Sequence, residues 1–211
     1  MRTLILVLGV MVSMLGGCGE GPDSKAVRAA FRNYDETTEN RNGIAFCEVI
    51  TKGSFERYDR LLKVALTGKR AEVRALRPVD KLDVIAMRHR ATKSTLRSLE
   101  GKTFARWHVE QGWASNGFML RVKLREIRVM DDKASGEVVV EGDRTHERFT
   151  FLREDGVWKL DEPSACDAWD RWLKDLAKEE HLDMDSLIMR LERESTDDDE
   201  IPDEVWDRVL K

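Results

Sequence analysis

Several residue types that would point to a particular class of protein are scarce in this chain. Its 211 residues include only three cysteines and four prolines, and its 36 basic side chains do not outnumber its 40 acidic ones. So few cysteines exclude a disulfide-dense scaffold, and a net charge of -4 argues against a nucleic-acid partner for the whole chain. Because 41% of the residues are hydrophobic, we expect a folded domain with a buried core and not a disordered chain.

Motifs for catalysis and for metal binding are lacking as well. The sequence has no glycine-rich phosphate loop, no nucleophile elbow, no His-Glu-x-x-His motif and no paired-cysteine zinc spacing. Its histidines are widely separated, so a metal site would require the fold to gather them. We therefore expect no metal and no cofactor, and the sequence identifies no catalytic residue. The histidines are His89, His108, His146 and His181.

The longest apolar run lies at the N-terminus. It extends from Leu4 to Leu15, follows the positive charge of Arg2, and is too short for a membrane-spanning helix of about 20 residues. Its length is typical of the hydrophobic core of a signal peptide. The next positions, Leu15-Gly16-Gly17-Cys18, resemble the lipobox of bacterial lipoproteins. The alternative is an uncleaved anchor or a buried apolar helix that carries an incidental cysteine.

This resemblance implies cleavage before Cys18 and attachment of lipid to its thiol. Acyl chains contribute about 0.8 kcal/mol per buried CH₂, so they would hold the protein on a membrane surface. Residue 19 is glycine, whereas an aspartate there is similar to an inner-membrane retention signal in Gram-negative lipoproteins. We therefore expect a lipid-anchored protein of the bacterial cell envelope, on the outer membrane and facing the periplasm.

The other two cysteines, Cys47 and Cys166, would then lie in an oxidising compartment. Disulfides persist in such compartments, so we predict a bond between these two residues. Two unpaired buried thiols are the alternative.

Changes of pattern along the chain divide it into four segments. We assign a signal peptide to 1–17, a tether to 18–23, an α+β domain to 24–162 and an acidic helical extension to 163–211. Helical spacing of apolar residues continues to Gly101, and the last of these predicted helices begins at Pro78.

Beyond Gly101 apolar residues occur at every second position, and this alternation predicts strands. The first is expected at Phe104 to Val109, and alternation then continues with turns to Leu160. A slip of one residue between Leu124 and Ile127 predicts a β-bulge, and Asp155-Gly156 predicts a tight hairpin.

Helices followed by an antiparallel meander predict helices packed on a strongly curved antiparallel sheet. This order of elements, and the segment from Phe151 to Leu160, resemble the nuclear transport factor 2-like, or cystatin-like cone, superfamily. The resemblance covers about residues 24–162 and implies a conical cavity between the helices and the sheet. Enzymes of this superfamily, such as ketosteroid isomerases, place a tyrosine and carboxylates in the cavity. No position of this sequence matches their catalytic aspartate.

Four polar residues are candidates for such a cavity. Two are tyrosines on helix faces that the apolar spacing predicts to point inward. The other two are histidines, of which one interrupts an apolar stripe of a helix and one follows Trp107. Ordinary packing for the tyrosines, and a hydrogen-bonded or edge position for the histidines, are the alternatives. The four residues are Tyr34, Tyr58, His89 and His108.

The charges are unevenly distributed. Residues 51–106 hold 15 bases and 6 acids, whereas residues 175–211 hold 5 bases and 14 acids. Basic residues recur every three or four positions at Arg70, Arg74, Arg77 and Lys81. They could form a patch for phosphates or anionic head groups, a solvated face, or a surface that the acidic tail covers. In the last case Trp169 and Trp172 would anchor the tail.

Three functions are consistent with these patterns. The first is a lipid-anchored domain that binds a small ligand or an envelope protein without catalysis. The second is a cone-fold isomerase, dehydratase or hydrolase that acts on a small apolar substrate. The third is an envelope assembly factor with the acidic tail as an interaction arm. We favour the first, because fold resemblance alone does not establish a reaction.

Overall fold

The computed structural model describes residues 20–113, 122–140, 142–196, 198 and 200–210. The lipobox, including Cys18, lies outside this range. The described chain begins with a series of helices, continues with an antiparallel sheet, and ends with further α-helices and a 3₁₀ helix. This arrangement confirms the predicted α+β fold.

The bounds of the elements are as follows. The N-terminal helices are α1 (Pro22–Glu39), α2 (Gly43–Val49), α3 (Lys52–Thr67), α4 (Arg70–Arg74), α5 (Pro78–Arg90), α6 (Lys93–Arg97) and α7 (Gly101–Glu110). The strands are β1 (Val122–Met130), β2 (Lys133–Val140), β3 (Asp143–Glu154) and β4 (Val157–Leu160). The C-terminal elements are α8 (Glu162–Glu179), α9 (Met184–Thr196) and the 3₁₀ helix Asp203–Trp206.

The sheet is a meander in which each strand pairs with the next in sequence. The predicted β-bulge is confirmed, since the register between β1 and β2 shifts between Arg125 and Arg128. A second shift interrupts the pairing of β2 with β3, and such irregularities bend a sheet. The hairpin at Asp155-Gly156 is also confirmed, and both residues have the positive φ angles, 53° and 79°, that a tight turn of this kind requires.

Two sequence predictions between Pro78 and Glu110 are wrong. Phe104 to Val109 is not a strand but part of α7, which begins at a capping box formed by Glu100 and Thr103. The single helix expected from Pro78 is interrupted at Ala91, whose extended backbone separates α5 from α6. Local hydrogen bonds at the helix ends therefore decide these boundaries, and the apolar pattern alone does not show them.

Three clusters of buried side chains form the core. The first joins α2, α3, α5 and α7 and includes Ile188 of α9 and Trp206 of the 3₁₀ helix. The second lies between α1, the sheet and Ala165 of α8. The third joins α8 to α9 through Leu173 and Leu187. Side chains from the C-terminal extension thus contribute to every cluster. No helix among the described residues is long and apolar enough to cross a membrane.

Candidate functional site

A pocket of about 120 Å³ lies between α1, α8 and the sheet, and side chains of α3, α5 and α7 complete its wall. Much of its wall is aromatic, and a group of charged side chains closes one end. The aromatic residues are Phe31, Tyr34, Trp113, Phe149, Trp169 and Trp172, and the polar ones are Asp35, Arg57, Asp83, His108, Glu162 and Cys166. An aromatic wall with a few convergent polar groups is typical of a small-molecule site.

Arg57 on α3 is the centre of the charged group, and only 3% of its side chain is exposed. Its Nε donates to Asp80 Oδ1 at 2.8 Å, and its Nη2 donates to Asp83 Oδ2 at 2.5 Å. The third neighbour is Glu162, whose Oε2 lies 3.6 Å from Arg57 Nη1. Three carboxylates therefore share one guanidinium in a place from which water is largely excluded.

Burial and charge act in opposite directions on two of these carboxylates. Burial raises the pKa of Glu162 above its ordinary value, and Arg57 and the hydroxyl of Tyr58 only partly offset this effect. Burial would also raise the pKa of Asp83, but Arg57 and His108 outweigh it and hold that pKa below its ordinary value. The pKa values of these two neighbouring carboxyl groups are therefore shifted in opposite directions.

Two polar atoms of this group lack a hydrogen-bond partner among the described residues, and both are inaccessible to solvent. They are Nδ1 of His108 and Oε2 of Glu162, the second of which still has its ion-pair contact with Arg57 Nη1 at 3.6 Å. Their other ends are engaged: Tyr58 donates its hydroxyl to Glu162 Oε1 at 2.6 Å, and His108 Nε2 lies 3.7 Å from Asp83 Oδ1. A buried polar atom without a hydrogen bond costs about 1–3 kcal/mol, and this cost applies most clearly to Nδ1 of His108.

Three of the four predicted cavity residues lie at this site. Tyr34 and His108 line the pocket, and Tyr58 lies behind it and holds Glu162. Burial raises the pKa of both tyrosines, and the charge of Glu162 raises it further, so both hydroxyls remain protonated.

The fourth predicted residue, His89, lies outside this pocket. Its Nδ1 is 2.8 Å from Glu192 Oε1, and its Nε2 is 3.2 Å from Asp198 Oδ2. Arg90 also donates to Glu192. His89 is therefore a hydrogen-bonded histidine that contacts the C-terminal extension, as the alternative interpretation of the sequence had it.

Both cysteines within the described residues are free and buried. The Cys47 thiol is 3.5 Å from the carbonyl oxygen of Lys102, whereas Cys166 lines the pocket on α8. Burial raises the pKa of each thiol. The structure thus places the two thiols in different surroundings and does not join them, and the disulfide stays a prediction.

The predicted basic patch is paired with acids of the extension. Its partners are five aspartates, which lie on α8, on α9, on the 3₁₀ helix and, in the case of Asp207, directly after that helix. Arg70 pairs with Asp203 and Asp207, Arg74 with Asp185, Arg77 with Asp167 and Asp170, and Lys81 with Asp185, at N–O distances from 2.6 to 2.9 Å. This geometry favours the interpretation in which the acidic tail covers the basic surface.

The aromatic anchor of the tail is not the one expected. Trp169 and Trp172 line the pocket, and it is Trp206 that is almost fully buried in the first core cluster. Arg74 lies over the Trp206 ring, 5.5 Å from its centre. One anchor at the far end of the tail therefore complements the ion pairs.

A second pocket of about 310 Å³ adjoins the first. The two share Val122, Phe149, Trp169 and Trp172, and the second is lined mainly by apolar side chains with His146 and Glu147 at its polar side. A ligand in the first pocket could therefore extend along α8.

The sequence did not single out Arg57, Asp83 or Glu162. The available signal was weak: Arg57 lies among the apolar residues of α3, and Asp83 lies on the helix that also buries Ile85. Glu162 is 104 residues from Tyr58, so no local pattern could associate them.

No group of three or more His, Cys, Asp or Glu side chains in the described part of the chain could hold a metal ion. The chain matches no protein-family model, no curated protein and no solved structure.

Proposed function

We propose that this protein binds a small, largely apolar ligand in the aromatic pocket, with a polar group of the ligand towards the end that Arg57, Asp83 and Glu162 line. The observation that carries the proposal is the composition of the pocket wall, which is largely aromatic and has polar side chains, Arg57, Asp83 and Glu162 among them, grouped at one end. A polar group of the ligand at the charged end of the pocket would fix its orientation. Apolar burial against the aromatic wall would add affinity.

The architecture supports the same function. The pocket lies between helices and a bent antiparallel sheet, where the resemblance to the cystatin-like cone superfamily implies a cavity. Its volume of about 120 Å³ approaches that of cavities near 150 Å³ that accept benzene. A compact ring with one polar substituent is therefore the size of ligand that we expect.

A direct binding experiment tests this proposal. Substituted benzenes with one polar group would be titrated into the full-length protein, with tryptophan fluorescence or calorimetry as the readout. Trp169→Ala removes part of the pocket wall and is expected to weaken binding about tenfold or more, since a buried aromatic contact contributes above 1.4 kcal/mol. Phe55→Ala is the matched control, because Phe55 is partly buried against the first core cluster and does not line the pocket. Failure of every such compound to bind would contradict the proposal.

Catalysis is the second candidate, favoured by the opposite pKa shifts of Glu162 and Asp83. Carboxyl groups with separated pKa values serve as acid and base in one site, so an isomerase or dehydratase of a small apolar substrate is the class to test. Turnover of a bound compound, with a pH profile that changes in Glu162→Gln, would favour this candidate. Binding without any turnover favours the binding module.

We propose a lipid-anchored location in the bacterial cell envelope, on the periplasmic side of the outer membrane. The support is the resemblance of Leu15 to Cys18 to a lipobox, together with glycine at position 19. Cys18→Ser should block processing and release the protein from the membrane fraction, and Cys47→Ser is the matched control. Unchanged membrane partitioning of Cys18→Ser would contradict this location.

The third function, an assembly factor with a free acidic arm, has less support. Acidic residues of the extension pair with the basic patch of the same chain and leave fewer of them for a partner.

A further inference from the structure

We infer that one end of the β-sheet, the end with the β1–β2 and β3–β4 turns, faces the lipid bilayer and places Met130 and Val157 in the interfacial region of the membrane. This inference rests on the lipid-anchored location proposed above and adds the surface through which the domain contacts the membrane. Three features support it: the neighbouring turns of the sheet, the position of the N-terminal residues, and the exposed apolar side chains.

The two turns lie side by side, because alternate turns of a meander are at the same end of the sheet. The turn from β1 to β2 follows Met130, and the turn from β3 to β4 precedes Val157. Strand β2 pairs with both β1 and β3, and Lys133 at its start has a partner on each of them. We call residues 130–133 and 154–157 the hairpin end of the sheet.

The N-terminal residues of the described chain reach this hairpin end. Asp23, in the first turn of α1, lies 2.7 Å from Nη2 of Arg153 and accepts a hydrogen bond from Trp158 Nε1 at 3.3 Å. Arg153 and Trp158 are paired directly beside the β3–β4 turn. Cys18 precedes Asp23 by five residues, which span at most about 18 Å when fully extended. A lipid on Cys18 thus brings the hairpin end close to the bilayer.

Two apolar side chains are exposed at the hairpin end. Met130 is 77% exposed and Val157 is 58% exposed, and they are two of the three exposed large hydrophobic side chains in the part of the chain that the structure describes. A single exposed apolar residue is ordinary in a soluble domain. Two of them on neighbouring turns, next to the point of lipid attachment, would leave water together if this end touched the acyl boundary of a membrane.

The charges around these two side chains nearly balance. Lys52 lies 3.7 Å from Asp155, and Lys159 lies 3.8 Å from Glu154. Exposed residues of both signs follow Met130 in the β1–β2 turn and at the start of β2. These are Asp131, Asp132 and Lys133. Since neither sign dominates, we expect apolar contact, and not attraction to anionic head groups, to hold the hairpin end on the bilayer.

Fluorescent labels on introduced cysteines at the two ends of the sheet test this inference. Met130→Cys and Val157→Cys place a label at the hairpin end. Asp143→Cys is the matched control, because Asp143 is exposed at the opposite end of β2, about 23 Å away at 3.3 Å per residue. The native thiols of Cys47 and Cys166 are buried and do not compete for the label.

The labelled full-length protein, with lipid on Cys18, would be reconstituted into phosphatidylcholine vesicles and exposed to iodide in the aqueous phase. We expect iodide to quench the labels at 130 and 157 at least about twofold less than the label at 143, because an interfacial position excludes the ion. Vesicles that contain phosphatidylglycerol should give the same result. The Cys18→Ser protein in solution is the reference, and there iodide should reach all three labels equally.

Equal quenching of the three labels on vesicles would overturn the inference and leave the lipid-anchored location intact. Failure of the labelled proteins to acquire lipid on Cys18 and to associate with membranes would count against both. Protection of the hairpin-end labels already in the soluble Cys18→Ser protein would indicate a protein contact at this end, with a second copy or another partner, and would also overturn the inference.

Discussion

Asp83 is the residue in the site whose ionised form most clearly stabilises the fold. It is paired with Arg57 and faces His108, and these two groups hold its pKa below the ordinary value of 3.8 in spite of burial. The folded protein therefore binds its proton less readily than the unfolded chain does. The stabilisation is present above about pH 4 and is lost as the pH falls through the lowered pKa.

We predict that Asp83→Asn destabilises the protein at neutral pH by about 1.5–3 kcal/mol, the range for a hydrogen bond to a charged group. The difference from the unmodified protein should be constant above about pH 4 and should shrink in more acidic solution, where Asp83 itself becomes protonated. Urea unfolding from pH 7 to pH 3 would measure both. A difference that grows on acidification would contradict this assignment.

Arg88 is another buried charged residue, and its side chain has no exposed surface. Its guanidinium donates to backbone carbonyl groups of α3, of residue 68 and of the 3₁₀ helix, those of Val64, Ala65, Gly68, Val205 and Trp206. Burial lowers the pKa of this group below its ordinary value, but an arginine remains charged at neutral pH. One side chain therefore ties the C-terminal segment to the middle of the chain.

Arg88→Met should be strongly destabilising, because it keeps the aliphatic volume and leaves several buried carbonyl groups without a donor. We expect a loss of about 3–5 kcal/mol in free energy of unfolding, as for the breaking of other buried charged contacts. Arg208→Met is the matched control, since Arg208 is exposed on the same C-terminal segment and should change stability by less than about 0.5 kcal/mol. Equal effects of the two substitutions would refute a central role for Arg88.

Among the elements, α2 and α7 approach each other unusually closely at Gly43. A methyl group on Gly43 would overlap the backbone carbonyl and the side chain of Arg106 on α7. A backbone group cannot move aside alone, so the two helices would have to separate. Glycine is thus required here by close packing.

Gly43→Ala should accordingly cost about 1–3 kcal/mol, the usual range for overpacking. Gly53→Ala is a matched control within another helix, where the nearest atom to an added methyl lies at 3.8 Å. That change should be neutral or slightly stabilising, since alanine restricts the unfolded chain. Thermal melts of the two variants measure the contrast, and a stable Gly43→Ala protein would show that the helices can separate freely.

The sequence predicted the strands of the sheet better than it predicted α7 or the site. Alternation and turn residues are local, so the hairpin at Asp155-Gly156 and the bulge near Arg125 could be found without the fold. Phe104 to Val109 is apolar and aromatic enough to imitate a strand, and only its capping box identifies a helix. The carboxylates around Arg57 come from α5 and α8, and their meeting depends on the packing of those helices.

On the scale of the whole molecule, the small net charge of -4 hides two large regions of opposite charge. The structure brings them together: the basic patch lies against α8, α9 and the 3₁₀ helix. A single ion pair on the surface contributes little to stability. The pair of Lys81 with Asp185 differs, because the Lys81 side chain is only 7% exposed and Asp185 also pairs with Arg74. The acidic extension is therefore held on the domain partly by charge, in addition to the burial of Trp206.

Asp185 is the residue at which this electrostatic contribution is best measured, because it accepts from Lys81 Nζ at 2.7 Å and from Arg74 Nε at 2.9 Å. Asp185→Asn should lower the free energy of unfolding by about 1–2 kcal/mol, since it leaves the buried Lys81 ammonium poorly paired. Asp175→Asn, at an exposed position that pairs with Lys178, should have almost no effect.

Salt distinguishes the electrostatic contribution of Asp185 to stability from the contribution of apolar packing. Raising the ionic strength to about 1 M shortens the screening length to about 3 Å, so the deficit of Asp185→Asn should become smaller while that of a Trp206→Ala protein should persist. Combining Asp185→Lys with Lys81→Asp reverses the pair and should recover part of the stability lost in Asp185→Lys alone. If the deficit of Asp185→Asn were independent of salt and the reversed pair recovered nothing, the tail would be held by apolar contacts alone. The near cancellation of charge in the sequence would then have no part in the fold.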